Sequence, residues 1–298
     1  MPKPITVLVA GATGQQGGAV TRLLLEKGHR VRALTRKPQS IAAEDLRVLG
    51  AEVLAVDLED GISVERAAEG ADAFFLVTTP LEKGPEAELR AGRWSAWAAK
   101  EAGVKHLVYS SIAGIDWVTG VPIVDCKRQV ELYIQELGIP YTIVAPTFFM
   151  ENLLGPMFLQ GLRRGTLSMP ISQTRGLQMI AVSDIADFAR TVIERPSEFE
   201  GRRVELASDE LSGPQIASVL SHATRSPIAF TRDSIANVRA QSEDYARLWE
   251  WLERVGFDID IESLQREHPE VGWHTLGTWA LEQNFSGLDV AAAEQPTA

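Results

Sequence analysis

The chain has little of what several common classes of protein need. It contains one cysteine among 298 residues, Cys126, so it cannot form an internal disulfide. Its apolar runs fall far short of the roughly 18 residues that span a bilayer, and residues 5–10 are too short for the core of a signal peptide. Basic residues number 29 against 40 acidic ones, and the net charge of −11 disfavours nucleic acid. These deficits predict a cytoplasmic protein that binds neither nucleic acid nor a membrane.

Metal-ligand spacing is also absent from the sequence. The five histidines show no zinc-ligand spacing, and Cys126 has no partner at such a spacing. We therefore predict that the protein binds no metal.

The hydrophobic pattern is typical of an α/β protein. Residues 5–10 form an apolar, β-branched run that ends at Gly11, as in a strand buried on both faces of a parallel sheet. Residues 15–27 then have apolar positions at helical spacing, and Gly28 follows as a cap. Further strands are predicted near 30–35, 52–56, 72–77, 107–110 and 141–145, with helices that include 86–102 and 127–137. This alternation predicts a Rossmann-type, doubly wound parallel sheet.

The pattern becomes less regular after residue 146. We expect a helical segment at 147–165, a loop at 166–177, a helix from 183 to 193 and a last strand at 203–207, followed by mainly helical chain. The predicted organisation is a nucleotide-binding core at 1–147, completed by about 178–208. A smaller, mainly helical substrate lobe comprises 148–177 and 209–285. Residues 286–298 have almost nothing to bury and are predicted to be a disordered tail.

The strongest functional signal is the turn between the first strand and the first helix. In its spacing, Gly11 permits a tight turn, Gly14 lets the backbone approach a pyrophosphate, and Gly17 lets the helix pack on the sheet. Thr13, Gln15 and Gln16 complete the segment at the helix N-terminus, where a phosphate binds. The alternative is a glycine-rich turn without a ligand. The strand and helix on either side favour dinucleotide binding.

The end of the second strand indicates which dinucleotide is bound. An NAD-preferring site usually has an acidic residue there, whereas this chain has Thr35, Arg36 and Lys37. The guanidinium of Arg36 is suited to a 2′-phosphate, and Lys37 adds positive charge. The alternative is a pair of solvated surface cations. We therefore predict that the cofactor is NADP(H).

Five segments in order carry a resemblance to a known family: VAGATGQQGG, LTRKP, AAKEAGVKHLVYSSIAG, GIPYTIVAPTFFMENL and AVSDIADFA. With them the chain resembles the NmrA-like group of atypical short-chain dehydrogenases/reductases, which has isoflavone-reductase-like and quinone-reductase-like relatives. The resemblance implies a dinucleotide-binding core with a small substrate lobe. It also implies that Asp57 and Leu58 flank the adenine and that further contacts to the dinucleotide come from Thr78, Thr79, Pro80, Pro146 and Phe149.

The catalytic residues are less clearly marked. In the wider superfamily a tyrosine four residues before a lysine, with a serine from the fifth strand, donates a proton to a carbonyl. Lys127 matches the lysine, but Ile123 occupies the tyrosine position. Lys127 is the candidate for binding the nicotinamide ribose, and Ser111 is preferred over Ser110 as a supporting donor. The alternative for Lys127 is a surface ion pair with Glu131 one turn later.

The segment after the sixth strand is the candidate substrate pocket. Phe148, Phe149 and Met150 suit a flat apolar substrate, and the alternative is that they only seal the joint between the lobes. Without the tyrosine, an acceptor that delocalises charge is favoured, such as a quinone, iminium or enone.

Three functions remain open at this point. The first is an NADPH-dependent reductase acting on a small molecule. The second is a catalytically silent NADP(H) sensor that regulates a protein partner, and the third is a protein whose nucleotide is only structural. The sequence leaves a homo-oligomer open.

Overall fold

The computed structural model describes residues 3–80, 83–115, 118–283 and 285, so the predicted tail at 286–298 lies outside the described residues. The chain divides into two compact units. The first comprises Met1–Val118, Pro122–Pro146 and Val182–Glu205, and the second comprises Thr119–Val121, Thr147–Ala181 and Leu206–Ala298.

The strands, in chain order, are β1 (Thr6–Val9), β2 (Arg30–Thr35), β3 (Glu52–Ala55), β4 (Ala73–Val77), β5 (His106–Ser110), β6 (Tyr141–Pro146), β7 (Phe148–Phe149), β8 (Thr166–Met169), β9 (Gly176–Ile180), β10 (Arg203–Leu206), β11 (Asp209–Ser212) and β12 (Ala229–Arg232).

The helices are α1 (Gln15–Glu26), α2 (Ile41–Val48), α3 (Gly61–Ala68), α4 (Pro85–Glu101), α5 (Pro122–Leu137), α6 (Pro156–Arg163), α7 (Val182–Glu194), α8 (Pro196–Phe199), α9 (Gly213–Thr224), α10 (Ile235–Gln241), α11 (Glu243–Arg254), α12 (Ile261–Glu267) and α13 (Leu276–Glu282), with a 3-10 helix at Met150–Leu154. No described helix is long and apolar enough to cross a membrane.

A seven-stranded sheet forms the centre of the first unit. Its strand order is β10-β6-β5-β4-β1-β2-β3, and the pairs from β3 to β6 are parallel. The order reverses at β1, where β2 lies on one side and β4 on the other. This topology confirms the predicted Rossmann-type, doubly wound fold.

Helices cover the sheet of the first unit in two groups. α1 packs against α7, and α4 packs against both α3 and α5. The approach of α4 to α5 depends on Gly92, because a Cβ there would lie 2.6 Å from Val130 Cγ2. The buried core on this side includes Phe74, Tyr109 and Ile134. The close approach brings polar side chains of α4 and α5 together.

The second unit combines short strands with helices. One sheet has the order β11-β9-β7, and a second pairs β12 with β8. Phe148, Phe158 and Trp249 form an aromatic cluster with ring centroids 6.1–6.4 Å apart. Buried Leu167 and Met169 anchor β8.

Three local predictions for the chain after residue 146 are wrong. The strand at Arg203–Leu206 is not the last, because β11 and β12 follow it. Residues 166–177 are not a loop, because β8 and the start of β9 lie there. Residues 147–165 are not one helical segment, because β7 precedes the 3-10 helix and α6. In these two segments the strands are short and pair with chain distant in sequence, which local periodicity does not detect.

Candidate functional site

The turn after β1 is tight because its glycines leave no room for side chains. Gly11 has a left-handed backbone with φ +58°, and the Gly14 amide donates to the Gly11 carbonyl at 2.8 Å. A Cβ on Gly17 would lie 2.3 Å from the Gly11 oxygen and 2.5 Å from the Ala10 oxygen. Any side chain at Gly17 would therefore push α1 away from β1.

The first turn of α1 presents its backbone amides. Gly14 is the N-cap and supplies no side-chain acceptor to these amides. Gln15 and Gln16 occupy the first turn, and the Ser110 hydroxyl donates to Gln16 Oε1 at 2.7 Å. A helix N-terminus with unsatisfied amides and the positive end of the helix dipole suits a phosphate.

A cleft of about 410 Å³ opens at the carboxyl ends of β1–β4. This volume lies within the range of small-molecule sites. The residues from the sequence prediction that line it are Gly11, Thr13, Arg36, Lys37, Asp57, Leu58, Thr78 and Thr79. Gly14, Gln15, Gln16, Gly17, Pro80 and Lys127 are not part of its lining, nor are Pro146 and Phe149. The cleft lies beside the reversal of strand order, where sheets of this topology bind ligands.

Charges of both signs surround the cleft. Arg36, Lys37 and Lys83 are its cations, and Lys83 Nζ lies 2.6 Å from Glu59 Oε1 and 3.5 Å from Asp57 Oδ2. The pKa of Asp57 is held below its ordinary value, first by the Glu59 backbone amide and further by Lys83 and Arg36. Asp57 is therefore a carboxylate at neutral pH.

Lys127 lies just behind the cleft wall. Its Nζ donates to Glu88 Oε1 at 2.6 Å and to the Thr78 carbonyl at 3.1 Å, and only 12% of its side chain is exposed. Burial is the largest single influence and lowers the pKa of Lys127, but the charge and hydrogen bond of Glu88, together with Tyr109 and Cys126, outweigh it and the pKa rises above its ordinary value. Lys127 is thus a fixed cation and hydrogen-bond donor, and it does not release its proton at neutral pH.

The sequence alternative for Lys127, a surface pair with Glu131, is wrong. Glu131 is buried and instead accepts from Arg203 Nε at 3.0 Å. Burial raises the pKa of Glu131, while Arg203 and the hydroxyl of Ser111 oppose that rise. Ser111 is buried near Glu131, whereas the hydroxyl of Ser110 donates to Gln16.

The predicted substrate residues belong to the second unit. Phe148 packs in the aromatic cluster with Phe158 and Trp249, and Met150 is fully buried. Phe149 is half-buried in β7, where it pairs with Ile180 of β9. Packing within the second unit accounts for the positions of Phe148 and Met150.

Sequence reasoning missed several residues of the first unit that line the cleft, among them Glu88 and Lys83. Glu88 is completely buried and lines the cleft beside Thr78, and Lys83 lies on its rim. The one indication of Glu88 is that it is an acidic residue on the buried face of α4, where Ala87 is also buried. Among the described residues, no group of three His, Cys, Asp or Glu side chains is placed to hold a metal.

The fold and the cleft together define a Rossmann-type nucleotide-binding protein. The profile of the NmrA-like family matches residues 3–262, and the chain belongs to that family. It is 33% identical over 225 residues to the NAD(P)H azoreductase of Xenophilus azovorans, covering 75% of this chain and 76% of that protein.

Solved structures share the fold. The NADPH-dependent quinone oxidoreductase of Escherichia coli, in complex with NADPH, has a TM-score of 0.78 at 24% identity over 92% of this chain and 98% of the other. NmrA, a negative transcriptional regulator, in complex with NADP, has a TM-score of 0.75 at 22% identity over 94% and 95%. At these identities the likeness shows the fold alone.

Proposed function

We propose that this protein is an NADPH-dependent reductase that transfers hydride to a conjugated or otherwise activated small-molecule acceptor. The observation that carries the proposal is the cleft beyond β1–β4, in which Gly11 and Thr13 of the glycine turn meet the cations Arg36 and Lys37. The azoreductase relative, whose name includes NAD(P)H, supports the same class of reaction.

The residues present fit a dinucleotide. Gly17 tolerates no Cβ, and Gly14 would bring a Cβ within 3.2 Å of the Gly11 oxygen, so the turn keeps the backbone exposed for a pyrophosphate. In our proposal Thr13, Gln15 and Gln16 bind the pyrophosphate with these glycines. Arg36 and Lys37 bind the 2′-phosphate, and Asp57 and Leu58 flank the adenine.

The remaining proposed contacts lead towards the reacting end of the cofactor. Thr78 and Thr79 follow β4 along one wall, Pro80 comes next in the chain, and Lys127 lies behind Thr78. We assign Pro146 and Phe149 as further cofactor contacts, Ser111 as a supporting donor and Phe148 to Met150 as substrate contacts.

The chemistry of this chain favours acceptors that need no strong acid. NADPH supplies the hydride when it is bound. Lys127 stabilises negative charge as a fixed cation and does not supply the proton, because Glu88 stabilises its charged form. Ile123 occupies the position of the usual tyrosine acid. Quinones, enones and azo compounds spread the negative charge that hydride adds, so solvent can protonate the product, and an iminium ion is simply neutralised by hydride.

The first test is selective cofactor binding. We expect the protein to bind NADPH more tightly than NADH in titrations of reduced-cofactor fluorescence. Arg36→Ala removes charge-assisted hydrogen bonds worth about 1.5–3 kcal/mol, so NADPH binding weakens roughly 10- to 150-fold while NADH binding changes little. Arg47→Ala on α2 is the matched control, because Arg47 pairs with Glu44 and lies outside the cleft lining. Equal affinities for the two cofactors in the parent protein would remove the NADP assignment.

The second test is turnover. NADPH oxidation is followed at 340 nm against a panel of quinones, azo dyes, iminium compounds and enones. We expect at least one class to be reduced with one NADPH consumed per two-electron product. A protein that binds NADPH and reduces none of them is not this reductase.

A redox sensor is the second candidate, and Ile123 in the tyrosine position favours it. The regulator NmrA, solved with NADP, shares the fold. A sensor must bind NADP and NADPH with clearly different affinities, or change its assembly or its affinity for a protein partner between them. Equal affinities and unchanged sedimentation with both cofactors would exclude it.

A further inference from the structure

Glu88 on α4 is a buried acid in the wall of the cleft. Its side chain has no exposed surface, and it lines the cleft next to Thr78. Burial of a carboxylate is costly unless partners compensate its charge and fill its lone pairs. Packing alone therefore does not explain why an acidic side chain is buried at position 88.

Three groups donate hydrogen bonds to Glu88. Oε1 accepts from Thr78 Oγ1 at 2.8 Å and from Lys127 Nζ at 2.6 Å, and Oε2 accepts from Cys126 Sγ at 3.2 Å. Lys127 can only donate, and a carboxylate can only accept, so the ionised acid matches this set. A neutral amide in the same place would point an N–H at one of these donors. It would also lack the charge that attracts the ammonium of Lys127.

We propose that Glu88 is the positioning residue for Lys127: its ionised carboxylate fixes the ammonium against the end of β4 and keeps it charged. This inference rests on the proposed function, in which Lys127 serves the nicotinamide end of NADPH. Glu88 acts through Lys127, to which its carboxylate is hydrogen bonded.

The hydrogen bonds of Lys127 define what is left for a ligand. An ammonium has three N–H groups. Two of them are donated to Glu88 and to the Thr78 carbonyl, and among the described residues no third acceptor of Lys127 is found. The third N–H thus has no hydrogen-bond acceptor among the described residues, Nζ lies 6.0 Å from the centre of the Tyr109 ring, and the proposal assigns this N–H to a cofactor hydroxyl.

The charge balance around Lys127 gives the proposal its test. The titratable groups facing Lys127 are Glu88 from α4, Tyr109 from β5 and Cys126 from its own helix. Burial lowers the pKa of Lys127, and Glu88 is the largest opposing influence. When the charge of Glu88 is removed, the effect of burial dominates and the pKa of Lys127 falls, so Lys127 loses its proton at a lower pH.

The first experiment uses Glu88→Gln with Glu86→Gln as the matched control, since Glu86 is exposed on the same helix. We expect NADPH affinity of Glu88→Gln to fall roughly tenfold or more between about pH 7 and pH 9.5, as a buried lysine deprotonates. The parent and Glu86→Gln change less than about twofold over this range. Glu88→Asp, which keeps the charge, should restore the flat profile. A flat profile for Glu88→Gln overturns the proposal.

The second experiment does not depend on NADPH. The chain has one cysteine, so [¹³Cβ]cysteine labelling gives a single NMR resonance that reports ionisation of Cys126. Burial, and next the Glu88 carboxylate, hold the pKa of this thiol above its ordinary value. In Glu88→Gln the negative charge beside the thiol is gone, so the thiol should begin to ionise about one pH unit or more below the pH at which it does so in the parent. An unchanged onset of ionisation contradicts the placement of the charges. If the parent binds no dinucleotide, the proposed function fails while this measurement still tests Glu88.

A third measurement covers the case in which Glu88→Gln does not fold. Lys127→Met and the double variant Glu88→Gln/Lys127→Met are compared, because replacing both members of a buried pair by neutral groups is tolerated better than removing one. A positioning residue acts only through its target, so the double variant should bind NADPH within about twofold of Lys127→Met. An additional loss of tenfold or more in the double variant shows that Glu88 acts independently of Lys127.

Discussion

Replacing Gly17 by alanine tests the glycine turn more sharply than any other single change. Helix propensity alone favours alanine over glycine by about 1 kcal/mol. Here, however, the new Cβ would lie 2.3 Å from the Gly11 oxygen and 2.5 Å from the Ala10 oxygen, both backbone atoms that cannot rotate away. Ordinary contact requires a separation of more than ~3 Å, so α1 must move by roughly 1 Å. Such overpacking costs about 1–3 kcal/mol, which exceeds the gain in propensity.

The same displacement should affect binding more than stability. The amides at the start of α1 lose their alignment with the pyrophosphate, and loss of even one charge-assisted hydrogen bond weakens binding by about 1.5–3 kcal/mol. We expect Gly17→Ala to bind NADPH at least tenfold more weakly by fluorescence titration and to lose up to about 2 kcal/mol in urea unfolding.

A control at the other end of α1 separates the two effects. Gly28 has φ +84°, and no described atom lies within 4 Å of the point that a Cβ would occupy. Gly28→Ala therefore meets only the left-handed backbone cost of about 1–2 kcal/mol. It should destabilise the protein without changing NADPH affinity. Parent-like affinity and stability in Gly17→Ala would refute the steric account of the turn.

Two further predictions concern stability. Burial lowers the pKa of His106 from 6.5 to about 4, so the unfolded chain binds a proton at this histidine at a higher pH than the folded chain does. The contribution of neutral His106 to the free energy of unfolding is therefore complete above about pH 6.5 and declines by about 3 kcal/mol towards pH 4. Urea unfolding across this range should show the decline in the parent and a smaller one in His106→Asn, and parallel curves would contradict the assignment. Phe158→Ala opens the aromatic cluster with Phe148 and Trp249 and should cost about 3–5 kcal/mol in urea unfolding. A loss below about 1 kcal/mol would mean that the cluster does not anchor the second unit.

The sequence was informative where structure depends on neighbours along the chain. The turn from Gly11 to Gly17 could be predicted from local spacing, because the atoms that exclude a side chain at Gly14 and Gly17 lie within a few residues of them in the sequence. The parallel sheet follows from apolar runs that alternate with helices. Arg36 and Lys37 come directly after β2, so their place beside the cleft follows from strand order.

Distant partners explain what local reasoning missed. β8 pairs with β12, which lies about sixty residues further along, so its four residues gave no local signal of a sheet. The spacing of Lys127 and Glu131 favoured an ion pair within one helix. Instead, α4 packs against α5, so Lys127 donates to Glu88, and Glu131 accepts from Arg203. Side-chain pairing in a buried interface depends on which helices meet, and one helix alone does not reveal it.

The packing of α1 against α7 has a consequence for biosynthesis. α1 follows the glycine turn, the proposed phosphate site, near the start of the chain, but α7 begins at Val182, and His29 just after α1 bonds to Glu194 at the far end of α7. A ribosome must therefore make almost two hundred residues before α1 gains its outer cover. Coenzyme capture on the nascent polypeptide should begin only after α7 has emerged from the exit tunnel.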